Sequence, residues 1–196
     1  MSELFVRLSG FGQVGYGDAR VQFVPSANEV AEALAKADRP VVLHGSGRSY
    51  GDAAWLREAR TFLFGMPGTV LPPDPNGVMT VPGPMPLDEI WKQVLPLGYW
   101  LPVVSGTAAP TVAGALAMNI HGKNAFHAGS LGEHVLEVQV VFPGQAPRWL
   151  KPDDPDFWAA VGGAGLIGCI TAAKIMMKPV PSAFLQVQAK KVRGWS

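Results

Sequence analysis

Residues 40–52 read PVVLHGSGRSYGD, an apolar run that breaks into a glycine-rich loop. Pro40 to Leu43 is continuously apolar, the pattern of a parallel strand covered on both faces. Upstream, Arg20 to Val24 alternates and is rich in β-branched and aromatic residues, which predicts a strand closed by Pro25. Ser26 is followed three residues later by Glu29, the spacing of a capping box, and Val30, Ala33, Leu34 and Ala37 then recur at helical spacing. Strand, helix and buried strand make a βαβ unit. The loop from His44 to Asp52 therefore leaves the carboxyl end of a strand, where open α/β sheets hold ligands.

Beyond the loop, Thr61 to Phe64 and Val78 to Val81 read as short strands separated by a Pro/Gly/Asp turn. Leu87, Ile90, Trp91, Val94 and Leu95 lie at helical spacing, with Asp88 and Glu89 in the first turn. Tyr99 to Val104 predicts a strand, Thr111 to Met118 a small-residue helix, and Asn119 to Ser130 an irregular polar segment. Val135 to Phe142 and Arg148 to Lys151 predict a hairpin, Pro155 to Val161 a short helix, and Ile170 to Lys178 a last strand of the body. The order of elements implies an α+β protein of two subdomains. Leu185, Val187 and Ala189 alternate with Gln186, Gln188 and Lys190, the pattern of a half-buried strand. Such a strand needs a partner, so it either pairs back onto the body or opens a longer protein.

Composition narrows the function. With 48% hydrophobic and 16% charged residues the chain is a folded protein, and 23 glycines with 18 prolines predict many backbone-lined turns. A net charge of +1 gives no case for nucleic acid or an anionic membrane. The single cysteine, Cys169, excludes an internal disulfide and a CxxC metal knuckle. No apolar run approaches the roughly 18 residues of a membrane span. The start, Met1 to Arg7, lacks the basic flank and apolar core of a secretion signal, so the expectation is a cytoplasmic protein.

Three glycine motifs are candidates for phosphate. Gly10 to Gly15 matches GxGxxG, but a strand rather than a helix follows it. Gly163 to Gly168 matches too, but follows a short helix and has no acidic residue near twenty positions on, so a tight turn is the better reading. The loop Gly45-Ser46-Gly47-Arg48-Ser49-Tyr50-Gly51-Asp52 fits neither standard fingerprint, yet has the right position, glycine-freed N–H groups, two hydroxyls and a cation. On these grounds alone it is either a phosphate loop or a glycine-rich connector. A second constellation gathers Ser105-Gly106-Thr107, Thr111-Val112-Ala113-Gly114 and Asn119-Ile120-His121-Gly122-Lys123. Small residues there admit a flat ring, and hydroxyls and N–H groups can bond its heteroatoms. His121 alone is better read as a structural histidine, and Lys123 alone as a solvated surface lysine. His121, His127 and His134 are too irregularly spaced for a metal site.

Taken together, residues 40–52, the run SGTAAPTVAGALAMNIHGKN (105–124), GSLGEHV (129–135), Phe157-Trp158 and GGAGLIG (162–168) resemble the FAD-linked oxidases. These form the vanillyl-alcohol oxidase and p-cresol methylhydroxylase superfamily. The nearest resemblance is to the decaprenylphosphoryl-ribose oxidase branch, beside the aldonolactone and alditol oxidases, and it runs from about Arg20 to Lys178. It implies a two-subdomain α+β flavin domain over 1–182, with subdomains at about 18–66 and 67–182, and FAD extended between them. It places the pyrophosphate on Gly45 to Tyr50, with His44, Gly51 and Asp52 beside it. Gly106, Thr107, Thr111 to Gly114 and Met118 to His121 would follow the flavin and ribityl chain, and Ile170 the adenosine half. It also implies oxidation of a CH–OH group of a sugar-like small molecule by hydride transfer to flavin, with His121 and Lys123 near the reacting centre.

Departures from the pattern carry expectations of their own. Many relatives attach FAD through a histidine in the pyrophosphate loop; Arg48 holds that slot and cannot make the link, so non-covalent FAD is expected. Ala113 stands where relatives often have glycine, and Ala109 where the polyprenyl-sugar branch tends to be polar. Relatives run to more than twice this length, so residues 183–196 are expected to open a substrate domain, supplied in cis or by a second chain. The alternative is a flavin-binding module with no turnover of its own.

Overall fold

The computed structural model describes residues 4–57, 59–65, 70–191 and 194. A first sheet contains β1 (Leu4–Ser9), β2 (Tyr16–Val24), β3 (Val41–His44) and β4 (Arg60–Phe64), with α1 (Ala27–Ala35) between β2 and β3. The strand order is β1-β2-β4-β3. β1 is antiparallel to β2, with Leu4 opposite Val21 and Ser9 opposite Tyr16, while β2, β4 and β3 are parallel. The two strands of the βαβ unit are therefore not neighbours, because β4 slots between them. Its segment RTFLF is covered on both sides, with Thr61 and Phe62 at 0% and 1% exposure, which suits a central strand. β1 is an element the sequence reading leaves out; Leu4, Phe5 and Val6 are all exposed, so it shows no in–out alternation. The GxGxxG of residues 10–15 is the turn of the β1–β2 hairpin, with Gln13 N–H bonded to Gly10 O at 3.0 Å.

α1 starts where the capping box predicts. The Ser26 hydroxyl accepts the Glu29 N–H at 3.3 Å and donates to the Glu29 carboxylate at 2.6 Å. Its buried face, centred on Val30, packs with Val24 and Phe62 of the first sheet.

The second sheet is antiparallel. In chain order the elements are β5 (Val78–Pro82), α2 (Leu87–Val94), β6 (Tyr99–Trp100), α3 (Val112–Ala117), α4 (Ala125–Ala128), β7 (Val135–Val141), β8 (Arg148–Leu150), α5 (Pro155–Ala160), β9 (Cys169–Met176) and β10 (Lys178–Pro179). Its order is β5-β9-β7-β8, and β6 pairs only with β10. The main core lies between this sheet and α2, α3 and α5, with Ile90, Leu116, Phe157 and Ile175 among its fully buried side chains. Val141 and Cys169, from the ends of β7 and β9, leave that core and join the α1 cluster of the first sheet. The two sheets thus share side chains at one end and diverge at the other.

Two expectations need correction. The strand over Tyr99 to Val104 shrinks to Tyr99–Trp100. Pro102 has no N–H for a ladder, and its carbonyl is taken by the Asn124 amide at 3.0 Å, while Leu101 and Val103 still go into the core. Leu185 to Ala189 forms no strand, and Leu185 and Val187 are 91% and 82% exposed. No described residue pairs with it, and an alternating segment without a ladder partner has nothing to hold its N–H groups. The expected subdomain boundary at 66/67, the leader reading of Met1 to Glu3 and part of 183–196 fall outside the described residues. No helix among the described residues is long and apolar enough to cross a membrane.

Candidate functional site

A cleft of about 1000 Å³ opens where the two sheets diverge. One wall is the loop after β3 with the carboxyl end of β4. The other is the segment from Ser105 through α3 to His121, closed at the far end by residues around Gly165 and Ile170. The walls meet at Gly45 and Thr111: a Cβ on Gly45 would lie 2.6 Å from the Thr111 hydroxyl oxygen. Thr111 is the N-cap of α3 and its Oγ1 accepts the Gly114 N–H at 3.2 Å. The glycine loop therefore rests directly on the start of the second wall.

Polarity is sorted within the loop. The Ser49 carbonyl accepts from Phe11 N–H at 2.8 Å, the Gly51 carbonyl from the Trp55 indole at 3.3 Å, and the Ala54 carbonyl lies 2.6 Å from His44 Nδ1. The N–H groups of Ser46 to Tyr50 find no acceptor among the described residues. No carboxylate lines the cleft among those residues, and Arg48, which does line it, has no ion-pair partner among them. Free N–H donors, a cation and no competing acid form a donor set for an anionic linker. Gly106 adds open space, since a Cβ there would meet nothing within 4 Å.

Among the sequence-derived positions, His44 to Tyr50, Gly106, Thr107, Thr111, Ala113, Gly114, Met118 to His121 and Ile170 line this cleft. Gly51, Asp52, Val112 and Lys123 do not. Gly51 turns away at φ 63°, and the Asp52 carbonyl is bonded to Trp55 N–H. Val112 is fully buried in the main core on the opposite face of α3, and Lys123 is exposed beyond the cleft. Thr107 Oγ1 is already engaged by Ala109 N–H at 3.3 Å, so the hydroxyl holds its own loop.

Sequence reasoning missed the aromatic wall and, Ile170 apart, the far end. Phe62 and Phe64 line the cleft from the end of β4, a position that the carboxyl-end rule applied to β3 also covers. Ala164, Gly165 and Gly168 line it from a motif read in the sequence as a tight turn and as part of the resemblance, without a place in the site. That motif is a turn with Ala164 at φ 53° and Gly165 at φ 74°. It caps α3: Gly162 N–H donates to Leu116 O at 2.9 Å and Ala164 N–H to Ala117 O at 2.7 Å. Cys169 lines the far end as well, and burial pushes its thiol pKa up to about 12, so it is neutral and unreactive.

Residues 19–145 match a family model described as an FAD binding domain. The chain is 36% identical over 195 residues to decaprenylphosphoryl-beta-D-ribose oxidase of Mycolicibacterium smegmatis, an alignment covering 91% of this chain and 40% of that protein. An uncharacterized protein of Streptomyces coelicolor is 33% identical over 99 residues, which covers 50% of this chain and 27% of that protein. The chain thus spans well under two thirds of the relatives it matches. The family match takes in both the glycine loop and the α3 wall, and the donor set built there suits the pyrophosphate of FAD: the chain belongs to the FAD binding domain family of the FAD-linked oxidases.

Proposed function

We propose that this chain is the flavin domain of an FAD-dependent oxidoreductase that oxidises a CH–OH group of a sugar, aldonolactone or polyol. The domain is of the two-subdomain vanillyl-alcohol oxidase and p-cresol methylhydroxylase type, with subdomains at about 18–66 and 67–182; residues 183–196 begin a substrate-covering domain. The observation that carries the reading is the loop Gly45 to Tyr50, where the N–H groups of Ser46 to Tyr50 find no acceptor among the described residues, beside Arg48 in a cleft that no carboxylate among those residues lines. That loop holds the pyrophosphate. Arg48 adds charge without a covalent link, so FAD is bound reversibly. Gly106 and α3 from Thr111 to Gly114 provide the close backbone approach that a flat ring needs, and Ile170 faces the adenosine half.

When bound, FAD supplies the hydride acceptor. His121 lines the cleft beyond α3, exposed and within the same segment as Met118 and Asn119, and orients the substrate oxygen. Lys123 lies outside the cleft and is not assigned a role. The sugar class is supported by the name of the Mycolicibacterium relative, a ribose oxidase.

A second reading, a flavin-binding module that turns over only with a partner chain, is favoured by Phe184 at 88% exposure beside the exposed Leu185 and Val187. Absorption spectra before and after acid precipitation, followed by anaerobic addition of aldonolactones and polyols, separate the two. Flavin released entirely to the supernatant and bleached by a polyol is the expected result. Release without bleaching by the isolated chain favours the module. Yellow colour held in the pellet overturns reversible binding, and a chain that takes up no FAD overturns both readings.

A further inference from the structure

His44 does more than border the loop. Its Nδ1 lies 2.6 Å from the Ala54 carbonyl, ten residues on, and the ring is partly buried. The Cε1–Nε2 edge of the same ring sits 3.5 Å from where a Cβ on Gly47 would stand, with Ser9 O 3.7 Å from that point. The imidazole therefore fills the inside of the loop and ties its two ends together. Gly47 is left-handed at φ 65°, a conformation that a glycine holds only if its neighbours restrain it.

We propose that His44 is a positioning residue: it donates Nδ1–H to the Ala54 carbonyl and so closes residues 44–54 into a preformed anion loop. The hydrogen bond fixes the tautomer, with the proton on Nδ1, and occupies the Ala54 carbonyl. It acts together with the Phe11 and Trp55 donors, which hold the Ser49 and Gly51 carbonyls. With these three carbonyls occupied, the loop keeps its N–H groups for the anion before FAD arrives, so less ordering is needed on binding. The proposal rests on the reading that this loop holds the FAD pyrophosphate.

Two substitutions separate the ring nitrogens. The amide nitrogen of Asn falls near His Nδ1, that of Gln near Nε2. His44→Leu is expected to weaken FAD binding about tenfold, the scale of one lost partly buried hydrogen bond. His44→Asn is expected to restore most of that affinity, and His44→Gln is not. FAD uptake is read by quenching of flavin fluorescence. Amide hydrogen exchange of residues 45–54 in the FAD-free chain is read beside it, and is expected to speed up in the Leu and Gln variants but not in Asn. Equal affinity in all four proteins, or rescue by Gln in place of Asn, overturns the proposal. If the wild-type chain takes up no FAD, the pyrophosphate reading fails, and the exchange data alone then decide the His44 closure.

Discussion

The Thr61 hydroxyl lies fully buried in the central strand β4 with no hydrogen-bond partner among the described residues. Burying an unpaired hydroxyl costs about 1–3 kcal/mol, and Val has nearly the same shape. Thr61→Val is expected to raise unfolding stability by about 1 kcal/mol in urea, with an unchanged m-value. Glu133 presents the opposite case. Its carboxylate accepts the Ser130 N–H at 2.8 Å and the Ser130 hydroxyl at 3.0 Å, and these bonds hold its pKa below the ordinary 4.5. A lowered folded pKa gives stability that is present above 4.5 and lost as pH falls through the folded value. Thermal melts between pH 6 and 3 are therefore expected to show a shallower acid loss in Glu133→Gln than in the wild type. At this scale part of the cleft lining was legible, because the glycines, serines and arginine of residues 45–49 follow a strand end and do line it. Val112 was not, since adjacent helix positions point only about 100° apart and packing decides which of them meets the core.

At the scale of elements, the join between Gly45 and the α3 cap ties loop geometry to helix stability. Thr111→Ala removes the bond to Gly114 N–H and is expected to cost about 1 kcal/mol of stability. Gly45→Ala places a methyl 2.6 Å from the Thr111 oxygen, so the loop must shift away from α3. FAD titrations of the two variants are expected to show a large affinity loss in Gly45→Ala, and recovery when Gly45→Ala is combined with Thr111→Ala. Most elements could be read from periodicity, and Ser26 opens α1 as its capping box predicts; Thr111 and Asp154 cap their helices too, which the sequence reading did not single out. Strand pairing could not be read, apart from the β7–β8 hairpin, which pairs as the sequence predicts. The slot taken by β4 depends on contacts far apart in sequence, the segment at Tyr99 pairs over two residues only, with β10, and the segment at Leu185 has strand-like residues without a strand neighbour among the described residues.

For the whole molecule, the cleft exists because the sheets touch at one end and part at the other. Its position at the carboxyl ends of β3 and β4 followed from the βαβ reading; its far wall did not, because Ala164 to Ile170 reach it only after the chain has crossed the second sheet. The Cys169 thiol at that wall tests the closure. With burial raising its pKa to about 12, it is expected to resist thiol-directed alkylation in the native state at pH 8 and to react at once in denaturant. Rapid native modification, followed by mass spectrometry, would mean that the far wall opens.

The sharing of Val141 and Cys169 with the α1 cluster has a further consequence, for the order in which the chain acquires its shape during synthesis. The first 64 residues contain every strand of the first sheet, yet the side chains that seal its helix arrive about a hundred residues later. On the ribosome the nascent N-terminal sheet must wait, with Val24, Val30 and Phe62 incompletely covered, until β7 and β9 have emerged. Such long-range closure slows folding and couples the two sheets into one cooperative transition. A chain released before Cys169 would carry the glycine loop and the Thr111 contact beneath it, and still lack a side chain that closes the α1 cluster.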